Sequence, residues 1–345
     1  MTGRVSDIVA GSGESPKLPA NERLHDAVPV STRPSLGDPP GSGFGATFLQ
    51  CPARLPRGGA AWGRCRVVIH FAGGPYAFTG LDAAQRSAVL ARFGSYASAP
   101  DAAATLTRVR RVEVSAFRQF DLAGWVYTLE LQAEPKLVRF VGLSFVGALG
   151  LEQGICGTLW TSLPGRGLFL EGFENYFRVL AAYRLAELGG VLLHSAAVVV
   201  DGRAYLFFGP SGAGKTTLAR KARHEGFAVL SDDMNAIAPA PGFTVVEKLP
   251  FAGELGGEAG PRQALQLAGV YRLVQGPALA LRPLRRAEAL AETAACAPYL
   301  NADPYRSPQL LDNLSRLLEE VPSGVLTTRL ETPFHQVAAL LGAEV

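Results

Sequence analysis

Gly209-Pro210-Ser211-Gly212-Ala213-Gly214-Lys215-Thr216 stands directly after the apolar run RAYLFF and directly before TLARKARHEG, so a strand, a glycine loop and a helix follow one another without a break. The octet satisfies G-x-x-x-x-G-K-[ST] in full. A polyphosphate is a dense anion, and a loop that curls round it must present backbone N–H groups with no Cβ in the way. Glycine at 209, 212 and 214 answers that need. The helix that follows aims its partly positive N-terminus at the same place, Lys215 adds a mobile cation, and the Thr216 hydroxyl suits Mg²⁺. The candidate nucleotide-binding residues are therefore Gly209, Pro210, Ser211, Gly212, Ala213, Gly214, Lys215, Thr216 and Thr217.

Upstream of the loop, VLLHSAAVVV and RAYLFF are two apolar runs of strand length joined by Asp201-Gly202. That dipeptide is a two-residue hairpin turn. His194 lies in the first strand, whose partner feeds the loop, which makes it a candidate near the phosphates or the acceptor. Downstream, FAVLSDDMNAI reads as an apolar strand ending in Asp232 and Asp233. One acid at such a strand end serves Mg²⁺; a second asks for a second job. Neighbours on an extended chain point to opposite sides, so one can face the metal while the other takes the acceptor's proton.

The remaining chain frames this centre. Residues 1–44 are rich in Pro, Gly and Ser, as in STRPSLGDPPGSG, and read as a mobile tail. Residues 45–170 carry short β-like segments broken by Gly and Pro (CRVVIHFAG, RVEVSAF, WVYTLELQ, KLVRFVGLSF, GTLWTSL) and one helical stretch, LDAAQRSAVLARFGSY. A smaller β-rich α+β accessory domain is expected there. Residues 171–345 hold the loop. They begin with an amphipathic helix, Phe173 to Leu188, on whose wet face Glu174 and Arg178 pair one turn apart, and Gly189-Gly190 ends it. GVYRLVQGPALALRPLRRAEALAETAA and GVLTTRLETPFHQVAALL read as strand-then-helix pairs that complete the sheet. The fold class expected is α/β.

Composition excludes several classes. With 345 residues and 48% hydrophobic residues the chain can build a core, and it has no run near the roughly 18 to 20 apolar residues of a membrane helix. The N-terminus lacks a basic stretch followed by an apolar one, so a cytoplasmic protein is expected. The net charge of +3 is small and the arginines are scattered, which does not indicate nucleic acid. RVRRVEV, with Arg108, Arg110 and Arg111, alternates as a strand with one solvated face. Cys51, Cys65, Cys156 and Cys296 form no C-x-x-C pair and fit reduced, mostly buried thiols.

GPSGAGKTT, the LLHSAAVVVDG hairpin before it and VLSDD after it occur in the order that resembles the catalytic domain of the HPr kinase/phosphorylase family, itself similar in fold to the ATP-dependent phosphoenolpyruvate carboxykinases. The resemblance implies a P-loop kinase domain with a mixed sheet. It also implies ATP and Mg²⁺ as cofactors, and γ-phosphate transfer to a hydroxyl of a protein, peptide or small-molecule acceptor, with a homo-oligomer as the family's habit. It places catalysis on Asp232, His194 and Lys215 and the metal on Thr216 and Asp233. The family's E-x-R-G-x-G segment is not found; Glu247 and Glu254 stand in that region. The alternatives are a nucleotide-dependent binding module for a peptide or protein, and an ATP hydrolase.

Overall fold

The computed structural model describes residues 55, 56, 58–101, 104–113, 129–142, 145–162, 168–251, 253–255, 264–319 and 321–342. The tail 1–44 and most of RVEVSAF lie outside these residues. The chain is a mixed α/β protein with two mixed sheets.

The first sheet has seven strands: β1 (Cys65–Ile69), β2 (Tyr76–Leu81), β3 (Thr105–Arg111), β4 (Glu130–Ala133), β5 (Leu137–Gly142), β6 (Phe145–Gly150) and β7 (Cys156–Thr161), in the order β1-β2-β3-β7-β6-β5-β4. β3 is parallel to both neighbours, and α1 (Ala83–Phe93) makes the crossover from β2. That helix starts where the sequence supplies a capping box. Asp82 Oδ1 accepts from Gln85 N–H at 2.7 Å and Gln85 Oε1 accepts from Asp82 N–H at 3.1 Å. In β3, Thr105, Thr107 and Val109 point inward while Arg108 and Arg111 are exposed, as the alternation predicts.

The second sheet has eight strands: β8 (Val191–Val200), β9 (Arg203–Phe208), β10 (Val229–Ser231), β11 (Met234–Ala240), β12 (Phe243–Lys248), β13 (Ala264–Gln275), β14 (Ala280–Pro283) and β15 (Ser323–Thr328). Asp201 (φ 49°) and Gly202 (φ 75°) close the β8–β9 hairpin in the left-handed pair of conformations that a two-residue turn requires. β9 and β15 both run parallel to β13. β10 and β11 lie end to end along β8, pairing with its later and earlier residues respectively, and the chain breaks pairing between them at Asp232 and Asp233. α3 (Lys215–His224), α4 (Arg286–Ala295), α5 (Ser307–Leu317) and α6 (Phe334–Gly342) complete this half.

α2 (Leu168–Glu187) packs on both sheets. The ring of Phe177 lies 4.8 Å from Phe78, 5.0 Å from Phe71 and 5.7 Å from Phe251, and Tyr176 shares a hydrogen bond with Thr107 at 3.1 Å. A Cβ at Gly157 would meet the Tyr176 hydroxyl at 1.9 Å, so only glycine lets the helix come this close. One hydrophobic core consequently runs through both halves. Being covered on both sides, α2 has almost no wet face. The expected Glu174–Arg178 pair forms at 2.9 Å, but with side chains only 16% and 11% exposed. Its Schellman end is as expected: Gly190 N–H donates to Leu185 C=O at 2.8 Å. No described helix is long and apolar enough to cross a membrane. Among the cysteines the expectation of burial fails at Cys156, whose thiol is exposed at the start of β7, while Cys65 and Cys296 are half-buried.

Candidate active site

The glycine loop joins β9 to α3, and its three glycines adopt φ of 150°, 79° and 98° at 209, 212 and 214, where side chains are strained. Gln275 at the end of β13 ties the tip down, its Nε2 donating to Gly212 C=O at 3.1 Å. Pro210, Ser211 and Gly212 are exposed at that tip. Lys215 is buried, and its Nζ donates back to the carbonyls of Gly209 at 2.9 Å and Pro210 at 3.2 Å. Burial pulls its pKa down, against the pull of nearby Asp233.

The interruption between β10 and β11 presents the two aspartates differently. The Ser231 hydroxyl accepts from the N–H groups of Asp233 and Met234 at 3.2 and 3.3 Å, which turns the chain between them. Asp232 is buried and hydrogen-bonded to the Thr216 side chain; its Oδ1 also receives the Leu255 N–H at 3.4 Å, and its Oδ2 has no partner. Burial raises its pKa, with the charge of Asp233 adding to the effect. Asp233 faces the other way. Its Oδ2 lies 3.1 Å from Arg178 of α2, its Oδ1 lies 3.7 Å from His194 Nδ1, and its carbonyl accepts the Ser195 N–H at 3.0 Å.

His194 is thus brought to the aspartate pair by the register of β8 against β11, which sets it opposite Met234. Burial lowers its pKa, and the cations Lys215 and Arg178 add to this against the opposing pull of Asp233. Burial likewise opposes the charge on Arg178, but the carboxylates of Asp233 and Glu174 outweigh it and the guanidinium stays charged. The Arg178 guanidinium also lies 5.5 Å from the Phe251 ring centre.

Two neighbours were not singled out by the sequence. Cys296, just past α4, accepts the Gly209 N–H, and its carbonyl accepts the His194 N–H at 2.9 Å; burial pushes its thiol pKa up. Tyr299, buried in the field of Arg178 and Asp233, has its pKa pushed up to about 12 by burial. Its backbone sits at φ 69° and ψ −53°, with Leu300 N–H donating to Pro298 C=O at 2.8 Å. This is a γ-turn of the rare, strained hand, the kind of conformation that gathers at functional sites. The local signal was Ala297-Pro298-Tyr299 after a helix, which says nothing of the site's position.

Among the described residues no group of three His, Cys, Asp or Glu side chains forms a self-sufficient metal site. Glu254 is engaged by Arg220 of α3, and Glu247 in β12 lies near Tyr76. The Thr216 hydroxyl and the unpartnered Asp232 Oδ2 still suit a cation that draws its remaining ligands from phosphate and water.

The family model described as "SynChlorMet cassette protein ScmC" matches residues 176–337, the span from mid-α2 into α6. No curated protein matches the chain. Among solved structures, the chain is similar to the HPr(Ser) kinase/phosphatase from Coxiella burnetii at 9% identity, over 44% of this chain and 95% of that chain, with a TM-score of 0.25.

Proposed function

We propose that the protein is an ATP-dependent kinase whose phosphotransfer unit is residues 171–345 and whose accessory unit is residues 45–170. The observation that carries this reading is the buried Asp232 carboxylate, hydrogen-bonded to Thr216 and left with one unpartnered oxygen at the foot of the Gly209–Gly214 loop. A buried acid oxygen with no donor is costly, and a metal–phosphate ligand removes that cost.

In this reading the loop N–H groups and Lys215 hold the phosphates, Lys215 exchanging its two carbonyl partners for phosphate oxygens. Thr216 and Asp232 would hold Mg²⁺, which would supply charge neutralisation to the phosphates. The contact between Asp232 and Thr216 supports giving the metal to Asp232, the reverse of the division expected from the sequence. His194, its neutral form favoured by burial and its ring backed by Asp233 at 3.7 Å, receives the acceptor hydroxyl's proton as its oxygen bonds the γ-phosphorus and the bond to the β-phosphate oxygen breaks. The acceptor is a hydroxyl on a protein, a peptide or a small molecule.

The test is titration of Mg²⁺–ATP into the wild type and Lys215→Ala, then incubation of the protein with γ-labelled ATP and cell extract. Binding lost in the variant, with label reaching one acceptor, supports the kinase. Labelled phosphate released with no acceptor makes it a hydrolase; binding with neither makes it a nucleotide-gated module, and no binding overturns the reading.

A further inference from the structure

A single guanidinium nitrogen of Arg178 is shared by two carboxylates, Glu174 Oε1 at 2.9 Å and Asp233 Oδ2 at 3.1 Å. The second oxygen of Glu174 pairs by charge with Arg92, 3.2 Å away on α1, a helix of the seven-stranded half, without the geometry of a hydrogen bond. The row Arg92–Glu174–Arg178–Asp233 alternates in sign and begins on one half of the molecule and ends at the candidate site on the other. None of its side chains is more than 24% exposed, so solvent screens it weakly. Burial makes each link depend on the next, because a charge that loses its partner here stays desolvated. The Phe251 ring centre lies 5.5 Å from the same guanidinium, a cation–π neighbour for Arg178.

Resting on the kinase reading above, we infer that Arg178 is the positioning residue of the site, and that the seven-stranded half tunes phosphotransfer through Arg92 and Glu174. Asp233 backs His194, so its rotamer sets the direction in which His194 meets the acceptor. Arg178 sets that rotamer. Glu174 and Asp233 draw on the two N–H groups of the same nitrogen, and Arg92 shares the charge of Glu174: with Arg92 present, Glu174 pulls less on Arg178 and leaves it to Asp233. Any ligand or partner that displaces Arg92 from Glu174 thereby loosens Asp233. The accessory half is on this view a control element of the site, and its contribution is to geometry during transfer and not to nucleotide affinity.

The experiment uses the full chain as wild type, Arg92→Gln, Arg178→Gln, Arg178→Lys and the Arg92→Gln/Arg178→Gln double variant. Affinity for Mg²⁺–ATP is measured by calorimetry and kcat from consumption of γ-labelled ATP. The expected result is a kcat about 30-fold lower for Arg178→Gln, partial recovery with Arg178→Lys, and a three- to tenfold loss for Arg92→Gln, all with ATP affinity within about threefold of wild type. The double variant is no slower than Arg178→Gln alone. Wild-type kcat in Arg92→Gln, or losses that multiply in the double variant, overturns the inference.

A second measurement does not need turnover. Urea unfolding of wild type, Arg92→Gln, Asp233→Asn and their combination gives a double-mutant cycle between the two ends of the row. A coupling of at least about threefold in the unfolding constant supports the row even if the wild type transfers no phosphate, in which case it is the kinase reading that falls. Independent effects overturn the row whatever the turnover.

Discussion

A Cβ placed on Gly253 would lie 2.1 Å from Oδ1 of Asp232. The carboxylate therefore packs directly against this glycine, with Thr216 as a further partner.

Gly253→Ala should push Asp232 out of that position. The expected result is a loss of about 1 to 3 kcal/mol in stability from overpacking, together with a Mg²⁺ requirement raised about tenfold in ATP binding. Calorimetric titrations of ATP at varied Mg²⁺ read the second effect. An unchanged Mg²⁺ dependence would show that Asp232 does not serve the cation.

Lys215→Ala should weaken Mg²⁺–ATP by about 100-fold, on the scale of one charge-assisted contact of roughly 3 kcal/mol. Thermal stability should change little, because the desolvation of the buried ammonium offsets its two bonds to the carbonyls of Gly209 and Pro210. Affinity within threefold of wild type would sink the role of this lysine.

Glu225, just past α3, caps α6: its carboxylate receives the N–H groups of Phe334 at 2.6 Å and His335 at 2.8 Å. Partial desolvation opposes ionisation, but these donors outweigh it and hold the pKa below its ordinary value of 4.5. A depressed carboxylate pKa adds stability that is present above the unfolded pKa and lost as pH falls through the folded one. Glu225→Gln should cost about 1 kcal/mol at pH 7, and the gap from wild type should close at an acid pH below the folded-state pKa. Urea midpoints at both pH values test this; a gap that persists in acid would refute the capping charge.

Gly202 has φ 75° and open space where a Cβ would go. Gly202→Ala should thus cost about 1 kcal/mol for backbone reasons alone, with no change in ATP affinity. A loss above about 3 kcal/mol would mean that the hairpin carries more than its turn.

Local chemistry was legible. The Asp201-Gly202 turn, the glycine loop, the Gly189-Gly190 helix end and the alternation of β3 each depend on residues within a few positions of one another, and each appears where the pattern put it. The hairpin of β11 and β12, and α5 with its Pro308 in the first turn, were not read. The Glu174–Arg178 pair shows where the pattern misleads. Spacing predicts that the two residues meet, but whether they meet in water is decided by what covers the helix, and α2 is covered by both sheets. The partner of Asp233 was hidden for the same reason. Nothing in VLSDD points to an arginine on an earlier helix, nor to Cys296 beneath Gly209.

The two carbonyls that Lys215 already holds set a threshold on what can enter the loop. Chloride, or any anion with a single oxygen to offer, would return less than it takes, since each hydrogen bond to a charged group contributes about 1.5 to 3 kcal/mol. An anion that brings several oxygens at once, spread along the loop and the first turn of α3, comes out ahead. On the kinase reading, the loop would therefore discriminate by valency, passing over simple salts in favour of a chain of phosphates.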